Sequence, residues 1–196
     1  MKRSEINRAL ANAHRCFAEH GWALPPNPSW DVTDFGLNQF SRYGAVLVNL
    51  ALEKEYSEKV IYQTDRQAIP NHCHHQKKED IICRFGVISI QIWFGSPRST
   101  QKSSGQVQIN NVLRPARSGQ MFHLTAGERL TITPHLYHEF WALSAEAIVG
   151  EVSTRNDDAH DNYFANPQVG RFPSIEEDEP PLFRLVSEKP RRLKRA

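Results

Sequence analysis

The chain has 196 residues, enough for one domain with a real core, and 39% of them are apolar. Its formal net charge is +2, but five positive charges crowd into the last eight residues, "KPRRLKRA"; +2 less five leaves −3 for the rest, which argues against a basic nucleic-acid surface. Three cysteines (Cys16, Cys73, Cys83) without a C-x-x-C pair give no disulfide or zinc-finger framework, no run approaches the roughly 20 apolar residues of a membrane span, and "MKRSEINRAL" lacks a signal-peptide core, so a cytoplasmic protein is expected.

"SEINRALANAHRCFAEHG" predicts a helix. Ile6, Leu10, Ala13 and Phe17 recur at three- and four-residue steps, with Ser4 as the expected N-cap and Gly21 as the stop. Pro25, Pro26 and Pro28 then make an extended link. "GAVLVNLALE" reads as a buried strand or a helix edge. From about residue 59, short runs rich in Val, Ile, Thr and aromatics follow one another: "KVIYQT", "DIICRFGVISIQIWFG", "VQINNVLR", "QMFHLTAG", "RLTITP", "YHEFWALS" and "AIVGEVS". Turn residues separate them, and "QKSSGQ" reads as a hairpin tip. This texture predicts a mainly β sandwich or barrel. The whole chain, 1–196, is expected to be one domain: 1–30 as helix and link, 45–153 as barrel core, and 154–196 as a covering loop and basic tail. The aromatics Tyr163, Phe164 and Phe172 and the stretch "LFRLV" suggest that the last segment packs back onto the barrel.

The chemistry concentrates in "HCHHQKKEDIICRFG", residues 72–86. His72 and His74 are alternate residues, so on a strand both imidazoles face one side. Glu79 joins them only if the chain turns in between, and "HQKK" is polar enough to be that turn. A fourth ligand should come from a separate strand, and "TPHLYHEFW" offers His138, with His135 as the alternative three residues earlier. Three imidazoles and one carboxylate suit a divalent Mn, Fe, Co, Ni or Zn ion and leave coordination positions open for catalysis or ligand capture. The competing reading is a His- and Lys-rich surface turn.

The order H-x-H, four residues, Glu, six residues, Gly, then a distant His resembles the cupin pattern, with His72, His74, Glu79, Gly86 and His138 in the matching places. Two glycines of that pattern are replaced, by Arg66 ahead of the first motif and by Leu136 in the second. "MKRSEIN", "HxHxxKxEDI" with Arg84, "GEVSTRNDDAHDNYF" and "GRFPSIEEDEPP" further resemble the D-lyxose isomerase family of cupin sugar isomerases, nearly end to end and in order. The resemblance implies a cupin-type β-barrel (a double-stranded β-helix or jelly roll) with an N-terminal helix and a long C-terminal covering segment. It implies a divalent metal, Mn preferred with Zn, Co, Fe or Ni as alternatives, held by His72, His74, Glu79 and His138. The implied activity interconverts D-lyxose with D-xylulose, and also D-mannose with D-fructose, in a homodimer without nucleic-acid or membrane partners.

For acid and base, Lys77 lies in the turn between ligands and the resemblance marks it as functional. Glu151 follows the strand "AIVG" and could point into the barrel. Asp161 stands in "NDDAHDN". Glu176 opens "EEDE", from which the resemblance implies one acid entering the pocket. Arg84 and Arg171 could bind sugar hydroxyls or pair with these acids. Two other functions fit the same ligands: an Fe(II) cupin dioxygenase and a non-enzymatic sugar-binding cupin.

Overall fold

A computed structural model describes residues 1–99, 103–170 and 174–188. Among them, a single helix, α1 (Arg3–Glu19), precedes two antiparallel sheets. The larger sheet runs β1 (Ser29–Thr33), β2 (Ala45–Leu52), β3 (Tyr56–Thr64), β12 (Glu146–Thr154), β5 (Glu79–Phe85), β10 (Arg129–Ile132), β7 (Ser104–Ile109) and β8 (Val112–Arg117). The smaller runs β13 (Tyr163–Phe164), β4 (Ala68–Cys73), β11 (Leu136–Ala142), β6 (Val87–Phe94) and β9 (Gln120–Thr125). This is the cupin-type barrel expected from the sequence. None of its helices is long and apolar enough to cross a membrane, among the described residues.

The barrel core follows from alternation along the strands. On β11, Leu136, His138, Phe140 and Ala142 are buried while the residues between them are half-buried. Phe140 packs with Ile88, Ile90 and Ile92 of β6 against Ile61, Ile81, Cys83 and Val149 of the larger sheet. The outer face of β1, β2, β3 and β12 is apolar too, because α1 covers it: Ile6, Leu10, Ala13 and Phe17 are fully buried against Trp30, Val48, Val60 and Ile148. Each large side chain buried there contributes about 1.5–3 kcal/mol. The sheet therefore begins at Ser29, ahead of the expected barrel start at 45.

Three local features differ from the sequence reading. Ser4 is not the N-cap. The cap residue is Lys2, whose side chain makes no capping bond; instead the Ser4 amide and hydroxyl donate to Asp178 at 2.9 and 2.6 Å, and the Arg3 amide donates to the Glu176 carbonyl at 2.8 Å. Partners more than 170 residues away satisfy the orphan N–H groups that a local cap would have served. The expected covering segment also divides. Residues 155–170 follow the barrel, whereas 174–188 strap α1 and β1, with Phe183 and Leu185 joining the outer core. Arg3, fully buried beneath this strap, pairs with Glu177 at 2.8 Å and Glu188 at 2.7 Å. Finally, "VQINNVLR" is two strands, β7 and β8, joined at Asn110 and Asn111, both of positive φ (49° and 67°) as a tight two-residue hairpin requires. The tip expected at "QKSSGQ" and the basic tail 189–196 fall wholly or partly outside the described residues.

Gly86 separates β5 from β6 at φ 77°. A Cβ there would overlap the Ser144 hydroxyl and lie 2.6 Å from the Glu146 carbonyl oxygen, so the motif glycine is a steric requirement. Arg66 stands at φ 56° where the pattern has glycine. The left-handed turn survives without glycine, at a cost of about 1–2 kcal/mol.

Candidate active site

His72 on β4 and His138 on β11 are cross-strand partners in the smaller sheet, their rings 4.2 Å apart. His74 lies just beyond β4. The chain then turns through residues 74–78 and enters the larger sheet at Glu79, the first residue of β5. That turn carries Glu79 to the histidines. One ligand-type atom from each of the four residues lies within 4.8 Å of the others, and all four are buried.

Their hydrogen bonds favour metal ligation. Nδ1 of His72 meets the Pro70 carbonyl at 2.8 Å, that of His74 the Asp161 carbonyl at 2.8 Å, and that of His138 the Leu136 carbonyl at 3.1 Å. A carbonyl can only accept, so each Nδ1 carries the proton and each Nε2 presents a lone pair to the centre. Nε2 of His74 and of His138 and Oε1 of Glu79 have no hydrogen-bond partner, although Oε1 stands 3.2 and 3.0 Å from the two nitrogens. Buried polar atoms left unpaired are costly, and here they converge. A divalent cation that takes nitrogen and oxygen donors fits this set. Burial, reinforced by His138 and His74, pushes the His72 imidazole well below its usual range and keeps it neutral. Burial alone would raise the Glu79 carboxyl, but the Lys77 ammonium outweighs it and holds it well below the usual carboxylate range. His135 stays outside the cluster. Its φ is 67°, it is exposed, and its ring lies 4.7 Å from His75, which stacks on Tyr163.

Lys77 and Glu151 are both brought to this centre. Lys77 Nζ, buried, contacts Glu79 Oε2 at 2.6 Å and Glu151 Oε1 at 3.1 Å. Burial disfavours its charge, but the two carboxylates outweigh that and raise its pKa, so it is an ammonium. Glu151 points inward from β12, and its β3 partner in register is Lys59, whose Nζ lies 3.3 Å from Oε1. His72, Lys77, Glu151 and Lys59 line a cavity of about 230 Å³ with Phe35 and Phe164 among its apolar walls.

Lys59 escaped the sequence reading. Strand β3 is buried on both faces, so its alternation does not show which side looks into the barrel. The signal was weak: Lys59 opens the buried run 59–63 directly after the charged, half-buried Glu58, as a solvated strand end would.

Asp161 stands near the centre in a different role. Its carboxylate accepts the amides of His75 at 2.8 Å, Gln76 at 3.2 Å and Lys77 at 2.9 Å, while its carbonyl orients His74. It therefore holds the ligand-bearing turn and has no oxygen aimed at the cavity. Burial works against its charge, but the three amides outweigh it and keep the carboxyl below the usual aspartate range. Its stabilisation is complete above about pH 4 and is lost as pH falls through the depressed folded-state value. An Asp161→Asn protein is expected to bind divalent metal about 10–100-fold more weakly, because the amide presents N–H groups to N–H donors. A competition titration with a chelating dye measures this; unchanged affinity would remove Asp161 from the support of the site.

Glu176 and Arg84 are not brought to the cavity. Glu176 sits at the start of α1, its side chain 67% exposed and 3.7 Å from Lys2, because segment 174–188 is spent on strapping the helix. Arg84 is exposed on the outer face of β5, 5.7 Å over the Trp22 ring; Ile81 and Cys83 take the inward positions, so period two turns Arg84 out. Arg171 lies outside the described residues.

The model of the D-lyxose isomerase family matches residues 27–189. The D-lyxose/D-mannose isomerase of Escherichia coli O157:H7 is 35% identical, the alignment covering 96% of this chain and 98% of that one. The enzyme of the same name from Serratia proteamaculans is 32% identical, with 96% and 97% covered. Among solved structures, Geodermatophilus obscurus L-ribose isomerase matches with a TM-score of 0.67 at 15% identity, covering 89% of this chain and 98% of that one. Cellulomonas parahominis L-ribose isomerase with L-ribose matches at 0.66 and 16% identity, with the same coverage. At such identities these structures speak for a shared barrel only. A match over most of the chain to one family, together with relatives above 30% identity along nearly their full lengths, shows that this chain belongs to the D-lyxose isomerase family and is an isomerase.

Proposed function

We propose that this isomerase interconverts D-lyxose with D-xylulose and D-mannose with D-fructose, with Mn as its preferred divalent ion, in a cytoplasmic homodimer. The observation that carries the reading is the buried cluster of three histidines and one glutamate opening on a cavity that also holds Lys77 and Glu151. The curated relatives bear the names of both sugars. The three cysteines are free and buried, in keeping with a reducing compartment.

Aldose–ketose exchange moves one proton between neighbouring carbons and one between their oxygens. His72, His74, Glu79 and His138 would hold the metal, which when bound polarises the sugar carbonyl as a Lewis acid. Glu151 is the base in this reading: it takes the proton from the carbon beside the carbonyl and returns it to the adjacent carbon. Lys77 serves the oxygens: its ammonium gives a proton to the oxygen on which negative charge develops and takes back the one that the neighbouring hydroxyl gives up, so it ends the cycle charged. Its contacts with Glu79 and Glu151 fix its ammonium between ligand and base. The apolar walls, Phe35, Ile61 and Phe164 among them, limit water around the transferred proton.

The test is an anaerobic incubation of metal-stripped, Mn-reconstituted protein with D-lyxose, following D-xylulose. Ketose that forms with Mn and disappears on chelation is the expected result. Absence of ketose with Mn bound would overturn the assignment. Oxygen uptake with an organic substrate would instead favour the Fe(II) dioxygenase, and sugar binding without turnover a binding protein.

A further inference from the structure

Lys59 meets three partners from two parts of the fold. Its Nζ stands 3.3 Å from Glu151 Oε1, 3.2 Å from Asn156 Oδ1 and 3.6 Å from Asp158 Oδ1. The side chain is only 7% exposed. Glu151 belongs to the rigid strand β12, whereas Asn156 and Asp158 belong to the irregular stretch 155–162 that leaves it. Asp158 and Asn162 from that stretch form part of the cavity wall. The far end of the stretch is anchored by Asp161 on the ligand turn. At the near end, Thr154 exchanges hydrogen bonds with Lys78. Between these anchors, Lys59 contacts the wall at Asn156 and Asp158.

On the catalytic side, Lys59 and Lys77 close on the same oxygen, Oε1 of Glu151. Lys77 approaches from the ligand turn and Lys59 from β3. A carboxylate held from two sides keeps one orientation; held from one side, it can swing about its side-chain torsions.

We propose that Lys59 is a positioning residue that latches the 155–162 wall to Glu151, so that one ammonium both seats the cavity wall and aims the base. The inference rests on the isomerase reading above for its kinetic consequence, but not for its structural one. Lys59 touches no metal ligand, so its loss should spare the metal. Misplacing a reacting group by about 1 Å costs on the order of 10²-fold in rate.

The experiment compares Lys59→Met, Lys59→Arg and Asp158→Asn with the unmodified protein, all Mn-loaded. Methionine keeps most of the buried stem and removes the charge. The first readout, amide hydrogen exchange over 155–160 without sugar, needs no turnover. Both Lys59→Met and Asp158→Asn should speed it about tenfold, with β3 and β12 still protected and metal content unchanged. The second readout is kinetics on D-lyxose. Lys59→Met should lower kcat about 100-fold, Lys59→Arg should recover to within about tenfold, and Asp158→Asn should act mainly on KM. Unchanged exchange in both variants, or full kcat in Lys59→Met, would overturn the latch. A Lys59→Met protein that merely melts earlier, with normal kcat in its folded fraction, would do the same. If Lys59→Met does not fold, Asp158→Asn, whose altered side chain is 45% exposed, carries the exchange test by itself. If the unmodified protein makes no ketose, the isomerase reading fails while the exchange result still decides the latch.

Discussion

A Glu79→Gln protein is expected to lose its divalent metal and at least ~10³-fold of kcat/KM for ketose formation, a transition-state loss of about 4 kcal/mol. Glu79 is the single anion among the four ligands. Its Oε1 stands between Nε2 of His74 and Nε2 of His138, while Oε2 pairs with Lys77 at 2.6 Å. Glutamine has the same shape and no charge. One end of its amide must offer N–H groups either to the metal position or to an ammonium, and neither accepts them. The change also leaves the buried Lys77 with Glu151 as its one remaining carboxylate contact among the described residues. Elemental analysis of the purified protein beside a D-lyxose assay checks both parts. Full metal occupancy with activity within tenfold of the parent would remove Glu79 from the centre.

Glu151→Gln is expected to do the opposite with respect to metal. Glu151 is not part of the cluster, so the ion should stay, while kcat falls by about 10²–10⁴-fold, the usual worth of a positioned base, and KM changes little. The sharper measurement is exchange of the sugar's transferred hydrogen with deuterated water. In the parent protein, a proton resting on a carboxylate at the cavity wall exchanges in part with solvent. In the variant, that exchange should vanish together with turnover. Exchange at the parent rate would show that another group moves the proton. With both substitutions in hand, metal loss and base loss become separate phenotypes.

The cluster of three histidines and one glutamate was legible because its information is local. Period two carries His72 and His74 to one side although β4 ends at Cys73, Glu79 follows across one polar turn, and His138 stands on a strand of its own. The atoms that orient those side chains were not legible. Three backbone carbonyls, of Pro70, Leu136 and Asp161, receive the Nδ1 protons, and every residue owns a carbonyl. Asp161 illustrates a related limit: its side chain was visible as an acid in a loop, but three amides from another part of the chain occupy it. Arg84 is a case in which alternation could have corrected the reading, since Ile81 and Cys83 already claim the inward face of β5. The barrel texture was readable from about residue 59, yet β1 was not, because Trp30 and Val32 are anchored by α1 and Leu185 and not by the barrel interior. The strap was the least accessible. A run of four acids reads as a solvated face, and only tertiary contact shows that Asp178 serves an amide at the helix start while Glu177 encloses Arg3.

The burial of Arg3 sets an order of events during synthesis. Its guanidinium is fully enclosed, and its partners Glu177 and Glu188 stand 174 and 185 residues further along the chain. The strap that covers the guanidinium also carries its partners, so until those acids have been made Arg3 is unpaired and open to water. α1, which precedes the strap by more than 150 residues, is therefore locked in place only when segment 174–188 arrives. Until then only the apolar face of α1 covers Trp30, Val48, Val60 and Ile148 on the outer side of β1, β2, β3 and β12. A contact of such high separation closes slowly, and where the helix lifts before the strap has closed, the bared face is a place for neighbouring nascent chains to adhere.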